Sequence, residues 1–266
     1  MSRRLVTVLL SLLLVLALNS ARGQPQRYQT FQPGMRPGPP PDLLDPGFQG
    51  KLDIPFGTQY IWRGVELNHQ SVFQPALRLN DQGMEIEVIG NMDLTGANDQ
   101  RGKFSRLIYR AGLARRSRDG EVALSYFYYD NQDVGYPKTQ EIGLEIRWGY
   151  PYFFGTDIFW DFDGARGFYF NSYTGFYIDV GPLRIIPEIG IGFATKNYQE
   201  FYFGVRQDTF LDWTVSLAAE LQVYGPLFLT VRGDYYELAS KNLRRSEEVD
   251  RQGDNFWGEC SVSVRF

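Results

Sequence analysis

The chain has 266 residues, of which 43% are hydrophobic and 22% are charged, and this composition is typical of a folded protein. Its formal net charge of −4 argues against a nucleic-acid partner, which would leave a basic footprint. A single cysteine and a single histidine exclude an internal disulfide framework and any metal motif that needs several such residues.

The first 23 residues have the features of a secretory signal peptide. Arg3 and Arg4 form a positive start, residues 5–18 are apolar, and small residues at Ala21 and Gly23 suit cleavage after Gly23. A retained anchor is the less favoured alternative, because the apolar run is shorter than the ~20 residues that a membrane helix needs. We therefore expect residues 1–23 to be removed and the rest of the chain to be exported.

Residues 24–49 contain seven of the fourteen prolines and show no apolar periodicity. This composition predicts a flexible or polyproline-II linker ahead of the folded part. A role of the prolines as a peptide ligand is a less favoured alternative. Beyond the signal peptide no long apolar run occurs, and mean hydropathy is −0.31, which excludes a helical membrane protein.

From residue 50 onward, apolar side chains alternate with polar ones. Residues 84–88, 142–148 and 213–223 all show this period of two, which predicts strands with one apolar and one polar face. The strands are longer than the ~5–6 residues usual in soluble sheets and suit the ~9–11 of a tilted membrane strand. Twelve strands are predicted, at 51–63, 71–80, 83–94, 104–114, 121–130, 139–149, 152–162, 167–180, 183–195, 211–224, 226–238 and 254–266.

The connections alternate between short and long. Tight turns rich in Gly and Pro occur near 80–83, 149–151, 180–182 and 224–226, whereas longer polar stretches follow the other strands. This asymmetry and the even strand count predict an antiparallel up-and-down barrel over 50–266, with short periplasmic turns and long external loops. Both ends of the barrel segment, and with them the linker at 24–49, would then lie on the periplasmic side. Residues 200–209 are read as an external loop, although a strand there would make thirteen, and pairing by part of 24–49 would make fourteen.

The two faces of the predicted strands differ in chemistry. The apolar face carries Trp62, Trp148, Trp160 and Trp213, and tyrosines lie near strand ends, as in the aromatic girdles of membrane barrels. A soluble all-β domain with an aromatic core is the less favoured alternative. Cys260 falls on the outward face of the last strand, where it acts as a small apolar residue.

The polar face carries small and charged side chains, with charges of opposite sign on neighbouring strands. Glu85 and Glu87 would neighbour Arg106 and Arg110, and Arg232 lies on the strand between those of Glu220 and Glu259. A hydrated lumen would accommodate these charges. We favour the interpretation that these pairs only neutralise each other's charge inside the barrel. The alternative is that they also set the selectivity of the pore. The predicted lumen-lining residues are Glu85, Glu87, Arg106, Arg110, Glu145, Arg147, Asp157, Asp161, Glu220, Arg232 and Glu259.

The last strand ends in an aromatic residue. Phe256, Val262, Val264 and Phe266 share one face, and we predict that Phe266 acts as the signal for the barrel-assembly machinery.

Two segments resemble known barrel families. Residues 57–65 (GTQYIWRGV) and 73–77 (FQPAL) resemble the opening hairpin of TorF-like porins, with an aromatic-Arg-Gly motif followed by a strand containing Gln and Pro. The stretch from Tyr202 to Phe266 is similar to the closing region of the MipA/OmpV barrels. The resemblance spans most of residues 50–266 and implies an outer-membrane barrel of the porin type.

Three functions are weighed for this barrel. The favoured one is a channel for small hydrophilic solutes, narrow or plugged because twelve strands make a modest barrel. A structural or surface-binding barrel is the alternative, in which the basic residues of loop 239–253 contact lipopolysaccharide phosphates. A lipid-modifying enzyme using His69 and Ser71 is least favoured, since no orienting carboxylate is evident beyond Glu66.

The remaining predictions concern sites and partners. We expect no enzymatic activity, no cofactor and no catalytic residue, because no cofactor fingerprint occurs in the sequence. Asp157, Asp161 and Asp163 form an acidic cluster whose spacing matches no calcium loop, so we expect no metal site. The expected partners are outer-membrane lipids, lipopolysaccharide, the assembly machinery and small solutes, and the expected location is the outer membrane.

Overall fold

The computed structural model describes residues 48–96, 101–117, 120–132, 135–244 and 254–266. The predicted signal peptide lies outside the described residues, and so does the predicted linker except for its last two positions. Residues 245–253 of the predicted charged loop also lie outside them.

Sixteen strands and two short helices make up the described structure. The helices are α1 (Lys196–Phe203) and α2 (Lys241–Arg244). In chain order the strands are β1 (Gln49–Gly57), β2 (Tyr60–Trp62), β3 (Val65–Asn68), β4 (Val72–Phe73), β5 (Ala76–Asp81), β6 (Met84–Asp93), β7 (Phe104–Arg116), β8 (Gly120–Asn131), β9 (Thr139–Trp148), β10 (Tyr152–Asp161), β11 (Gly167–Phe176), β12 (Ile178–Val180), β13 (Leu183–Ala194), β14 (Thr209–Tyr224), β15 (Leu227–Leu238) and β16 (Asp254–Arg265).

All strands except β2 and β3 belong to one antiparallel wall that closes on itself. Each wall strand pairs with its neighbour in the chain, and β1 pairs with β16 from Lys51↔Arg265 to Gly57↔Glu259. β4 and β5 form one strand interrupted at Pro75, which has no N–H to donate, and β11 and β12 form one strand interrupted at Tyr177. The wall therefore has twelve strands, which confirms the predicted up-and-down barrel.

The two ends of the barrel differ in how the strands are connected. At one end, called the turn end, Gln82 and Gly83 have positive φ angles of 52° and 89° and close a two-residue hairpin. The turns around 181 and 225 lie there too, and so do the start of β1 and the end of β16. At the other end, called the loop end, the connections are long. Residues 200–208 belong to one of them, as the end of α1 and a loop, and Thr209 begins β14. The expectation that this segment adds no wall strand of its own is confirmed, whereas the helix was not predicted.

The outer face of the wall is apolar. Met84, Ile86 and Val88 on β6 point outward and are exposed, whereas Glu85 and Glu87 between them are buried on the inner face. Trp148 and Trp160 are 60% and 44% exposed on the outside, so a soluble domain with its apolar face buried is the wrong alternative. No helix in the described part of the chain is long and apolar enough to cross a membrane.

Trp62 is the exception among the tryptophans predicted on the outer face. The first strand was expected to run to residue 63, but β1 ends at Gly57 and the chain then turns into the barrel. Trp62 is 1% exposed in the interior, so its placement on the lipid-facing surface was wrong.

Cys260 offers a direct test of the outer face, since it is the single cysteine and is exposed on β16. In folded protein reconstituted into lipid vesicles, we expect Cys260 to react slowly with a charged, water-soluble maleimide, because lipid covers the outer face. Urea unfolding should restore fast labelling. Equal labelling rates for folded protein in vesicles and for unfolded protein would contradict a lipid-facing β16.

Candidate functional site

The loop-end half of the lumen is filled by a hairpin that folds inward between β1 and β4. Residues 58–71, here called the inner hairpin, contain β2 and β3, which pair with each other and form a sheet separate from the wall. Arg63 and Gly64 make its turn with positive φ angles of 51° and 77°. Tyr60, Trp62 and Val65 are buried, so the inner hairpin packs as a plug with an apolar surface.

Arg63, at the tip of the inner hairpin, reaches the opposite wall. Its two terminal nitrogens each donate a hydrogen bond of 2.9 Å to one carboxylate oxygen of Glu141 on β9. The hydroxyls of Tyr129 on β8 and Tyr198 on α1 accept further hydrogen bonds, at 3.3 and 3.4 Å. The guanidinium carbon lies 3.8 Å from the ring centroid of Phe159 on β10. This bidentate pair with a stacked ring is the strongest kind of arginine contact.

The Arg63 site is defined as Arg63 together with Glu141, Tyr129, Tyr198 and Phe159, and it is shielded from bulk solvent. Glu141 and Tyr129 are each 0% exposed. The hydroxyl of Tyr129 donates a 2.8 Å hydrogen bond to Glu141. Burial raises the pKa of Tyr198, which lies outside the wall strands, so its hydroxyl keeps its proton. The carboxylate is therefore surrounded by donors and is fully paired.

A second arginine supports Trp62 from the wall. The guanidinium carbon of Arg106 lies 4.2 Å from the Trp62 ring centroid, and that of Arg63 lies 4.5 Å from it. Arg106 also donates a 3.2 Å hydrogen bond to the hydroxyl of Tyr60. The sequence predicted Arg106 as a partner of Glu85 and Glu87, but the antiparallel register places Arg106 opposite Asn91, nearer the loop end.

Helix α1 completes the plug from the side. Gln199 donates to the backbone oxygens of Ala194 and Thr209, which fixes the helix between β13 and β14. Tyr202 packs edge-on against Trp62 with ring centroids 5.2 Å apart. The loop-end half of the lumen is thus an aromatic core, although the sequence predicted an inner face of small and charged residues throughout.

The turn-end half of the lumen holds charged side chains. On β6–β9, Arg110 lies 2.7 Å from Glu85, 3.3 Å from Glu145 and 3.8 Å from Glu87. Ser125 accepts a further hydrogen bond from Arg110. All of these charged residues are buried, and they form what we call the Arg110 network. The register sets Glu87 opposite Arg110, so charges of opposite sign lie on adjacent strands here. That these pairs line a path for solutes stays a prediction.

A second charged group occupies the wall around β14–β16 and β1. Lys51 lies 2.7 Å from Asp53, and Arg265 pairs with Glu220 across the strands. Arg232 was predicted between Glu220 and Glu259. The register does set it opposite Glu259, but its 2.8 Å salt bridge goes to Asp234 two residues along its own strand. In this group too, cations and anions lie next to one another.

All eleven residues predicted to line the lumen lie on inward positions of the wall. Their role in solute passage stays a prediction. Glu220 and Arg232 are half-buried. The others are buried, namely Glu85, Glu87, Arg106, Arg110, Glu145, Arg147, Asp157, Asp161 and Glu259.

The residues that sequence reasoning missed are Arg63, Glu141 and Tyr129. Residues 62–64 were recognised as a motif but placed at the end of a strand. A glycine after two bulky residues could have indicated a turn instead. Glu141 lies on the inward face that the alternation of β9 predicts. Its partner Arg63 is 78 positions away in the chain, however, and no local pattern encodes that contact.

The residues considered for catalysis or metal binding are dispersed. His69 and Ser71 are both exposed on the inner hairpin's return to the wall. Asp161 accepts hydrogen bonds from the Thr139 hydroxyl and the Asp163 backbone N–H. Among the described residues no group of three or more His, Cys, Asp or Glu side chains could hold a metal ion.

Comparison with known proteins gives a family and a fold. The family model described as MltA-interacting protein MipA matches residues 51–240. The structure of the NanC porin is similar with a TM-score of 0.53 at 10% identity, covering 80% of this chain and 98% of that one. For an outer-membrane channel of Pseudomonas putida F1, the TM-score is 0.49 at 10% identity, with coverage of 89% and 100%. No curated protein matches the chain significantly.

Proposed function

Since the chain belongs to the MltA-interacting protein (MipA) family and is a β-barrel of the outer membrane, we propose that it is a gated channel. Small hydrophilic solutes pass through its charge-paired lumen, and the inner hairpin closes the path at the loop end. Catalysis is not needed for this role.

The observation that carries this proposal is that strands β2 and β3 of the inner hairpin do not pair with any wall strand in the described part of the chain. β2 and β3 pair only with each other in the described sheet, while the wall closes through β1 and β16. The hairpin reaches the far wall mainly through side chains, among them Arg63, which forms a salt bridge with Glu141. At its base the hairpin is tied to the wall by backbone hydrogen bonds from the N–H of Thr58 to Gly258 and from the N–H of Leu94 to Ser71. Displacing β2 and β3 about these ties breaks no pairing between wall strands, which is what a movable plug requires.

The charged turn end supports the same function. Burying an ionised side chain costs free energy unless it is paired. A barrel with a purely structural role would be at least as stable with an apolar core, like that of a soluble protein. Pairs such as Arg110 with Glu85 tolerate water when the plug moves, because both members are ionic. They would then form a polar constriction of alternating sign.

Replacing residues 59–70 by a short Gly/Ser linker tests the channel. We expect the variant to show more frequent and larger current steps than the wild type in planar lipid bilayers, because the loop-end half of the lumen loses its plug. Heat-modifiable gel mobility verifies that the variant is folded. His69→Ala is the matched control, since it changes an exposed residue of the same segment and should leave the current unchanged. A folded linker variant with no current above background would refute the channel.

A structural or interaction barrel is the second candidate, favoured by the burial of the lumen side chains. Arg110, Glu85 and Glu145 are all below a tenth exposed, so this conformation has a filled interior. The family is named for interaction with MltA, and on this alternative the barrel anchors a protein partner. Lipopolysaccharide would bind at 239–253, of which Lys241 and Arg244 are described on α2. Absence of current in every folded variant would favour this second role.

A further inference from the structure

The Arg63 site has the composition of a ligand site, although its occupant belongs to the chain. A buried carboxylate offers both oxygens to one guanidinium, two phenol hydroxyls accept from its edges, and a ring lies against its face. Glu141 is 0% exposed and therefore cannot exchange Arg63 for water while the surroundings stay closed. The site is built on wall strands β8, β9 and β10 and on α1, and only its cation comes from the inner hairpin.

Withdrawal of the inner hairpin would leave two carboxylates side by side. The register places Asp161 directly opposite Glu141, and both are 0% exposed. Asp161 already accepts from Thr139 and from a backbone N–H, whereas the cation of Glu141 is Arg63. Glu141 would keep the hydrogen bond from Tyr129 but lose its cation. A buried carboxylate without a cation is strongly unfavourable, so opening requires either water or a replacement cation.

The geometry selects among cations. Two parallel N–H groups fit the two oxygens of Glu141, and a flat cation fits against the Phe159 ring at 3.8 Å. An ammonium group is a compact, strongly hydrated point charge and cannot reproduce the bidentate fork. The site is therefore suited to a guanidinium group.

We propose that the Arg63 site binds solutes bearing a guanidinium group, which replace Arg63 and so release the inner hairpin. This inference rests on the proposed channel, because release matters for transport only if the lumen conducts. Arg63 then acts as a tethered ligand that keeps the barrel closed until a soluble equivalent competes for Glu141.

Chemical rescue tests the site without any current. Arg63→Ala removes the guanidinium and leaves Glu141 with the Tyr129 hydroxyl but without its cation. We therefore expect ethylguanidinium at low millimolar concentration to raise the midpoint of the thermal gel-mobility transition by a few degrees. Ethylammonium should raise it less. The double variant Arg63→Ala/Glu141→Gln should not respond to either cation. The proposal would be overturned if the two cations raised the midpoint equally. It would also be overturned if ethylguanidinium stabilised the double variant as much as Arg63→Ala.

A measurement on the wild type covers the case in which Arg63→Ala does not fold. Ethylguanidinium added to wild-type protein in planar bilayers should increase the frequency of current steps with a saturable concentration dependence. The increase should be absent in Glu141→Gln, and ethylammonium should not produce it in the wild type. An equal response to both cations would overturn the guanidinium site.

The two proposals fail in different ways. If ethylguanidinium stabilises Arg63→Ala but no folded variant conducts, the binding site stands and the channel does not. If the linker variant conducts but neither rescue nor wild-type activation by ethylguanidinium occurs, the channel stands and the guanidinium site is wrong.

Discussion

Replacing Arg110 by methionine is expected to lower the free energy of unfolding by about 3–5 kcal/mol, the usual cost of removing one partner from a buried ion pair. Arg110 is 2% exposed and bridges carboxylates from two strands. Glu85 would keep Arg116, at 2.5 Å, and Glu87 would keep Arg78, at 3.0 Å. Glu145, 7% exposed, would lose its salt bridge and cause most of the loss.

Urea unfolding in lipid vesicles, followed by tryptophan fluorescence, measures this change. Arg206→Met is the matched control, since Arg206 is 62% exposed and pairs at 3.2 Å with a half-exposed Glu200. An exposed pair contributes about 0–1 kcal/mol, so the control should be near the wild type. Adding Glu145→Gln to Arg110→Met should recover part of the lost stability. A loss as small as that of the control would mean that the Arg110 network is hydrated in the membrane.

The wall could be predicted from the sequence because its pattern is local. Period-two alternation in segments such as 84–88 fixes which side chains point inward, and turns such as Gln82-Gly83 fix where strands end. Since an antiparallel hairpin also fixes register, the opposition of Glu87 and Arg110 follows from the same information. For this reason, the number of strands and the inward orientation of most charged side chains could be predicted from short stretches of the sequence.

The contents of the lumen could not be predicted in the same way. The inner hairpin has no period that distinguishes an inward fold from a strand that continues to residue 63. Its position depends on Arg63 meeting Glu141 and on Trp62 fitting between Arg106 and Tyr202, contacts that join distant parts of the chain. Helix α1 was missed because it is short and rich in aromatic residues, which resemble a strand.

The closing strand combines a structural role and a predicted signalling role at Phe266. Its N–H donates to the backbone oxygen of Gly50 at 2.9 Å, and its ring lies over Gly50, where any added side chain would collide with it. The backbone bonds survive Phe266→Ala, and the ring is only half-buried, so the loss of intrinsic stability should be modest, about 1–2 kcal/mol. If Phe266 is read by the assembly machinery, its loss in cells should be far larger than that figure implies.

Two measurements on Phe266→Ala separate the roles. We expect nearly normal refolding from urea into detergent, and a loss of most of the heat-modifiable barrel from outer membranes. Gly50→Val is the matched control, because it displaces the Phe266 ring but keeps a terminal aromatic residue. That variant should be less stable in detergent, and the amount of its barrel in outer membranes should fall only as far as this loss of stability explains. If the membrane level of Phe266→Ala also falls only as far as its loss of stability in detergent explains, Phe266 acts by closing the barrel. The assembly signal must then lie elsewhere in β16.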